Sequence, residues 1–223
     1  MIGAEDTCLL FGSLRESQAD IEGSRTVIIT DPEVRRLYEP RFPSCKAVIE
    51  VPRGEAAKCL AQLESLYEAF LDMELDRGSS VFAIGGGSVS DLSGLAASTW
   101  MRGIDFGFAP TTLLSMVDAS LGGKNAVDFR GRKNLIGTFN KPRFIRFDVS
   151  VLNTLTDADF ACGMAEVFKH AILDGEAHLQ FLREKVTARK ALTMADMEPV
   201  VRKSLEFKSG IVGRDEYEAG ERM

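Results

Sequence analysis

Short apolar runs rich in β-branched residues, each cut off by a turn-forming residue and separated by helical patterning, most constrain how this chain folds. Arg25–Thr30 (RTVIIT) stops at Asp31-Pro32, and Lys46–Val51 (KAVIEV) stops at Pro52. Ser80–Ile84 (SVFAI) runs into three glycines, Ile104–Ala109 (IDFGFA) into Pro110, and Phe144–Asp148 (FIRFD) gives one more run. Runs of this kind bounded by breakers predict buried strands. Between them, Glu55–Leu75 spaces Leu60, Leu63, Leu66, Tyr67, Phe70 and Leu71 three and four apart, the period of a helix. A further helix is predicted at Ser90–Ala97 (SDLSGLAA). Strands alternating with helices imply an α/β layer with a largely parallel sheet. From about Asp157 the pattern is helical, over 157–185 and 195–212. The expected organisation is an α/β domain over 1–155 and an all-helical region over 156–223.

Composition excludes several classes. Of 223 residues, 45% are hydrophobic and 27% charged, which suits a folded globular chain rather than a disordered one. The net charge of −6, with basic residues scattered, argues against nucleic acid as a partner. No apolar run approaches the roughly 20 residues of a membrane helix, so no membrane partner is expected. MIGAEDTCLLFGS lacks the basic and apolar regions of a signal peptide. The cysteines at 8, 45, 59 and 162 show no CxxC spacing. Reduced thiols and a cytoplasmic location are the plain expectation.

VFAIGGGSVSDLSG (81–94) places a strand, then Gly85-Gly86-Gly87, then a helix start with Asp91 near it. Glycines let backbone N–H groups approach an anion, and a helix N-terminus adds unpaired donors and a favourable dipole. The usual dinucleotide fingerprint fails at its third glycine, where Ser90 stands. Asp105 follows Gly85 by twenty residues, as a ribose-binding acid would, but sits near the start of its strand and not at its end, so the spacing reads as coincidence. A tight strand-to-helix turn with no ligand is the competing reading.

More specific strings follow: TWMRGIDFGFAPTTLLSMVDASLGGKNAV (99–127), GRKNLIGTF (131–139) and GMAEVFKHAIL (163–173). With GGGxxxDLxG, they resemble the 3-dehydroquinate synthase family of the shikimate pathway, in the same order from about Val27 to Glu216. The resemblance implies a Rossmann-like NAD-binding α/β domain followed by a helical domain that holds a divalent metal, Zn or Co. It implies conversion of 3-deoxy-arabino-heptulosonate 7-phosphate to 3-dehydroquinate and phosphate. Transient oxidation of a ring hydroxyl, phosphate elimination and an intramolecular aldol closure make up the reaction.

The resemblance also assigns residues. Gly85, Gly86, Gly87, Ser88 and Asp91 would lie by the NAD pyrophosphate, although Asp91 alone would read as a first-turn helix acid. Glu55 and Lys58 would reach the adenosine half; three apart on a helix, they face the same way, and by themselves they would be a surface ion pair. Asp31 would touch the same ribose. Thr111 and Thr112 would meet the nicotinamide side, with helix capping as the plain alternative, and Thr154 is a further cofactor contact. Asp118, Lys124, Lys133 and Asn134 form the polar set expected between NAD and a hydroxylated anionic substrate. Arg102 would reach the substrate phosphate of a neighbouring subunit, implying a homodimer. Lys169 and Lys208 match lysines near the substrate.

Glu166 matches the family's metal-binding glutamate. His170 stands four residues later on the same helical face, yet the family draws its two histidine ligands from later in the chain, from a GHTFGHA-like segment and a further helix. His170 is therefore expected to be a packed or surface residue and His178 a helix-surface residue. On the resemblance the helical domain is expected to be incomplete, with the chain able to bind NAD and weak or inactive as a catalyst. Ser-Val-Ser after the glycines, and Asn125 and Val127 after Gly-Gly-Lys, depart from the commoner pattern. They leave open another sugar phosphate cyclase of the 2-deoxy-scyllo-inosose synthase kind. A metal-dependent polyol dehydrogenase and a non-catalytic NAD-binding remnant also remain alternatives.

Overall fold

In the computed structural model, which describes residues 3–4, 7–185, 193–215 and 220, a seven-stranded sheet carries the molecule. Its strands are β1 (Gly3–Ala4), β2 (Thr7–Phe11), β3 (Thr26–Thr30), β4 (Ala47–Glu50), β5 (Ser80–Gly85), β6 (Asp105–Pro110) and β9 (Phe144–Phe147). They lie in the order β1-β2-β9-β6-β5-β3-β4, and every neighbouring pair is parallel except β1 with β2. All of β3 and β9 is buried, as are β5 and β6 beyond their first residues. Helices cover parallel strands on both faces, which is why these strands read as continuous apolar runs.

The intervening helices are α1 (Pro32–Tyr38), α2 (Leu60–Asp72) and α3 (Gly87–Thr99). Strand β3 leads outward through α1 to β4, whereas β5 leads through α3 to β6 on its other side. The winding therefore reverses between the carboxyl ends of β3 and β5, and a crevice opens where the two loops part. Across this seam Thr30 Oγ1 donates to the Ile84 carbonyl at 2.7 Å. Asp31 stands at one lip and Gly86 at the other.

Strands β1 and β2 and a separate hairpin gave no clear signal in the sequence. Strand β2 (TCLLF) pairs with β9, from Cys8 opposite Phe144 to Phe11 opposite Phe147. A second sheet is the hairpin of β7 (Lys124–Phe129) and β8 (Arg132–Phe139). Its tip is Arg130-Gly131, both at positive φ (49° and 76°), the two-residue geometry that suits the twist of a tight hairpin. Nearly all of β8 is exposed, so its residues follow no burial alternation.

The helix expected from Glu55 starts at Leu60. Gly54–Ala57 instead form a 3-10 turn, and Lys58 (φ −82°, ψ 62°) and Cys59 (φ −140°, ψ 161°) break the helical path. Leu63, Leu66 and Phe70 face the core as predicted, but Leu71 is exposed. Helix α3 begins at Gly87, three residues before its predicted start.

Beyond β9 come α4 (Asp157–Asp174), α5 (Glu176–Lys185) and α6 (Met194–Arg214). Thr156 caps α4, donating its hydroxyl to Asp159 and accepting the Asp159 N–H at 3.1 Å. Val167, Leu182, Val201 and Leu205 of these helices belong to the same apolar cluster as the sheet. His178 is not on the surface. Its side chain is fully buried, with Nδ1 2.9 Å from Asp174 Oδ2, and Nε2 finds no partner among the described residues. His170 is buried as well, with Nδ1 2.5 Å from Ser204 Oγ.

Gly107 lies opposite Phe144 in register, and a Cβ at Gly107 would come within 2.4 Å of the Phe144 ring. Gly107→Ala should lower stability by about 1–3 kcal/mol in urea unfolding, and Phe144→Leu in the same chain should recover part of it. Burial lowers the His178 pKa below its usual value despite Asp174. The unfolded chain then binds the extra proton first, so stability is complete above about pH 6.5 and is lost as pH falls through the folded value. His170, lowered mainly by burial too, adds a loss of the same sign. His178→Leu should flatten, though not abolish, the slope of unfolding free energy against pH below about 6.5.

Candidate functional site

The crevice is a cleft of about 580 Å³. Of the residues predicted from sequence, Asp31, Glu55, Lys58, Gly86, Gly87, Ser88, Asp91, Thr111, Thr112, Asp118, Asn134 and Thr154 line it. They come from six segments of the chain that only the fold brings together.

Strand β5 ends at Gly85, whose carbonyl accepts the Thr111 N–H at 2.8 Å. Gly85 does not line the cleft. A Cβ there would sit 2.6 Å from Val89 Cβ, so its lack of a side chain lets α3 turn back tightly against the strand. Gly86 caps α3 and offers no side chain to its N–H groups; the first intrahelical bond runs from Ser90 N–H to the Gly86 carbonyl. The amides of Gly87, Ser88 and Val89 thus head the helix without partners in its own ladder. A Cβ on Gly86 would stand 3.4 Å from Thr112 Cγ2, and one on Gly87 3.1 Å from Ala119 Cβ. The cradle is bare backbone, walled by Thr112 and Ala119.

Beside it lies a buried ion cluster. Lys58 is only 5% exposed, with Nζ 2.6 Å from Asp91 Oδ2, 2.5 Å from Asn134 Oδ1 and 3.8 Å from Glu55 Oε2. Glu55 and Lys58 do face the same way, but through a 3-10 turn instead of an α-helix. Burial pushes the Asp91 carboxyl above its usual pKa, and the Lys58 ammonium opposes that rise. Glu55 also accepts from Lys133 Nζ at 3.0 Å on the exposed side; this contact raises the Lys133 pKa.

The other wall is built by side chains that cap or staple. Asp31 Oδ1 accepts the Glu33 and Val34 N–H groups at 2.9 and 3.0 Å, capping α1. Thr112 Oγ1 accepts the Ser115 N–H at 3.1 Å, so helix capping and cleft lining coincide there. Ser115–Ala119 form a π-turn that projects Asp118, whose carboxylate and carbonyl both accept from Lys208 of α6. Thr154 Oγ1 meets the Tyr38 hydroxyl, which itself lies 2.9 Å from the Val151 carbonyl.

Lys124, Lys133, Lys169, Lys208, Glu166 and Arg102 do not line the cleft. Lys124 opens β7 and is exposed, and Lys133 reaches Glu55 at the rim. Arg102 sits in a turn before β6, at the end of the sheet opposite the cleft, exposed and at φ 73°. Glu166 lies one helical turn beyond the cleft-lining Cys162; its Oε1 is 2.8 Å from Lys169 Nζ and 3.1 Å from His170 Nε2. Among the described residues, no three His, Cys, Asp or Glu side chains gather as a metal-binding set. No helix among them is long and apolar enough to cross a membrane.

Tyr38, Arg53, Thr156, Asp159 and Cys162 also line the cleft and were not singled out from the sequence. Thr156 and Asp159 had a signal, the cap spacing before an apolar helix. Tyr38 and Arg53 had none, because only the order of the strands brings α1 and the segment after β4 to this opening.

The fold and the cleft together define a Rossmann-like α/β protein with a helical region appended. Residues 48–162 match the family described as 3-dehydroquinate synthase N-terminal, and residues 163–223 match 3-dehydroquinate synthase C-terminal. The chain belongs to the 3-dehydroquinate synthase family. It is 40% identical over 205 residues to the 3-dehydroquinate synthase of Desulforamulus reducens, covering 89% of this chain and 57% of that one. Among solved structures it resembles a 2-epi-5-epi-valiolone synthase from Streptomyces hygroscopicus subsp. jinggangensis 5008 with NAD+ and Zn2+ bound. The TM-score is 0.84 at 27% identity, covering 95% of this chain and 62% of the other. A 2-deoxy-scyllo-inosose synthase complexed with carbaglucose-6-phosphate, NAD+ and Co2+ shares the fold, at TM-score 0.83 and 24% identity over 96% of this chain and 62% of that one. The chain thus spans 57% of the length of the Desulforamulus reducens relative.

Lys58→Met leaves Asp91 buried without its cation and should cost about 3 kcal/mol near neutral pH. An acid whose folded pKa is raised loses stability as pH climbs from its unfolded value, about 3.9, through its folded value. Without Lys58 that loss steepens. The deficit in urea unfolding should therefore be small at pH 4 and grow toward pH 7, and Asp91→Leu in the same chain should recover part of it.

Proposed function

We propose that the cleft holds NAD and that the chain carries the cofactor-binding half of a 3-dehydroquinate synthase. The observation that carries this reading is the uncapped start of α3. Three backbone amides and the helix dipole meet there on side-chain-free backbone at the switch point of a parallel sheet. A pyrophosphate suits that cradle. Its adenosine side would lie toward Asp31, Glu55 and Lys58, and its nicotinamide side toward Thr111, Thr112 and Asp118. NAD, when bound, supplies removal and return of a hydride at a substrate hydroxyl carbon. Asn134 and the Lys58–Asp91 pair would fix its orientation, and Lys124, Lys133, Lys169 and Lys208 would supply positive charge toward a sugar acid phosphate.

The division near residue 156, with an α/β cofactor part before it and a helical substrate part after it, belongs to this proposal. So do a cytoplasmic homodimer in which Arg102 reaches the partner's substrate, and a divalent ion, Zn or Co, at Glu166. The described residues offer that ion the Glu166 carboxylate, already held by Lys169 and His170.

Isothermal calorimetry of the chain with oxidised NAD tests the core of the reading; saturable one-to-one binding is expected. Gly86→Ala, whose methyl fits beside Thr112 yet occupies the cradle, should weaken that binding roughly tenfold, about 1.4 kcal/mol. A chain that takes up no NAD would remove the reading. Phosphate release from 3-deoxy-arabino-heptulosonate 7-phosphate with NAD and Zn or Co present is expected to be weak or absent for this chain, and any release should exceed that from glucose 6-phosphate. Accumulation of NADH during turnover would instead indicate a polyol dehydrogenase.

A further inference from the structure

The turn that brings Asn134 to the cleft is held by a carboxylate that does not itself reach the cleft. Asp128 sits where the β7–β8 register breaks: Val127 pairs with Ile136, but Phe129 pairs with Arg132. Between those pairs β7 supplies Asp128 alone, whereas β8 supplies Lys133, Asn134 and Leu135. The excess loops out, as at a bulge, and Asn134 takes a left-handed backbone, φ 54°. Asparagine tolerates that conformation better than most residues, yet its N–H is turned away from the strand ladder and needs another acceptor. Asp128 Oδ1 accepts it at 2.8 Å.

The same residue grips the opposite segment. The Asp128 N–H donates to the Lys58 carbonyl at 2.8 Å, and Asp128 forms a parallel bridge with Cys59. One residue thus fixes the backbone of both Lys58 and Asn134, whose side chains meet at 2.5 Å in the cleft wall. Neither partner is held there by a helical turn of α2 or by a ladder pair of the hairpin. Lys58 lies between a 3-10 turn and α2, and Asn134 lies in the looped-out part of the hairpin.

We propose that Asp128 is a positioning residue for dinucleotide binding: its carboxylate and amide staple the Lys58 turn to the Asn134 loop and so set where the Lys58 ammonium stands in the cleft. The inference rests on the NAD reading above. Without the carboxylate, the Asn134 N–H loses its acceptor and the left-handed turn relaxes. Asn134 Oδ1 then leaves Lys58, whose ammonium falls back on Asp91 and Glu55. Site geometry is lost while the sheet and the core stay intact.

Calorimetric titration of the full chain with oxidised NAD tests this on wild type, Asp128→Ala, Asp128→Asn and Gly107→Ala. The last is a stability control remote from the cleft. Asp128→Ala should raise the Kd roughly tenfold, the loss expected for a misplaced charged hydrogen-bonding group. Asp128→Asn should stay within about threefold of wild type, because an amide oxygen accepts the same N–H. Gly107→Ala should keep the wild-type Kd although it unfolds at lower urea. Wild-type affinity in Asp128→Ala overturns the positioning role alone. So does an Asp128→Asn defect as large as that of alanine, or a Gly107→Ala defect of the same size. Absence of NAD binding in the wild type overturns the NAD reading, and the positioning role with it.

Discussion

A lysine ammonium removed from water between a carboxylate and an amide oxygen organises the opening of this molecule. Lys58 belongs to a turn before α2, Asp91 to the second turn of α3, and Asn134 to the β7–β8 hairpin. None of these segments is close to another in sequence. A buried charge is costly unless it is paired and hydrogen-bonded, so the three must meet for any of them to be placed well. The hairpin, which shares no strand pairing with the main sheet, is tied to the cleft through this contact and through the packing of β7 on α3.

The second constraint is close approach at the end of β5. With Gly85 under Val89, helix α3 can start two residues after the strand stops. Its unpaired amides then face the place where β3 and β5 diverge. Moving α3 outward by one side-chain thickness would separate those amides from Thr111, Thr112 and Asp118, which leave the neighbouring strand β6 and its π-turn. The capping bonds of Asp31 and Thr112 serve the same end, since each stabilises a local helix start and also sets one wall of the cleft.

Much of the sheet was legible because its strands are buried on both faces and bounded by Pro110, Pro52, the Asp31-Pro32 pair or glycine. The breaks in the prediction have specific causes. Strand β2 reads as a short apolar stretch beside an undistinguished N-terminus, and only pairing with β9 makes it a strand. The hairpin was missed because β8 has no buried face to impose alternation. The helix predicted from Glu55 was extended over Lys58, whose conformation is dictated by its distant partners Asp91, Asn134 and Asp128. His178 carries the polarity of a surface residue but is sealed by neighbouring helices, a burial that no pattern within α5 could announce.

From the sequence alone came the chemical inventory and its local geometry: a glycine-bare helix start after a buried strand, an acid near that start, and lysines in strings that resemble one enzyme family. These depend on covalent sterics, period and spacing, all of which act within a few residues. Only the tertiary structure decided which of those groups share a cavity. It placed Lys58, Asn134, Thr154 and Asp118 around one opening and left Arg102, Lys124 and Glu166 outside it. It also revealed Asp128 as the link between two of the cleft's walls. The reason is physical: the order in which parallel strands wind sets where loops converge, and that order is fixed by burial summed over the whole sheet, not by any local stretch of chain.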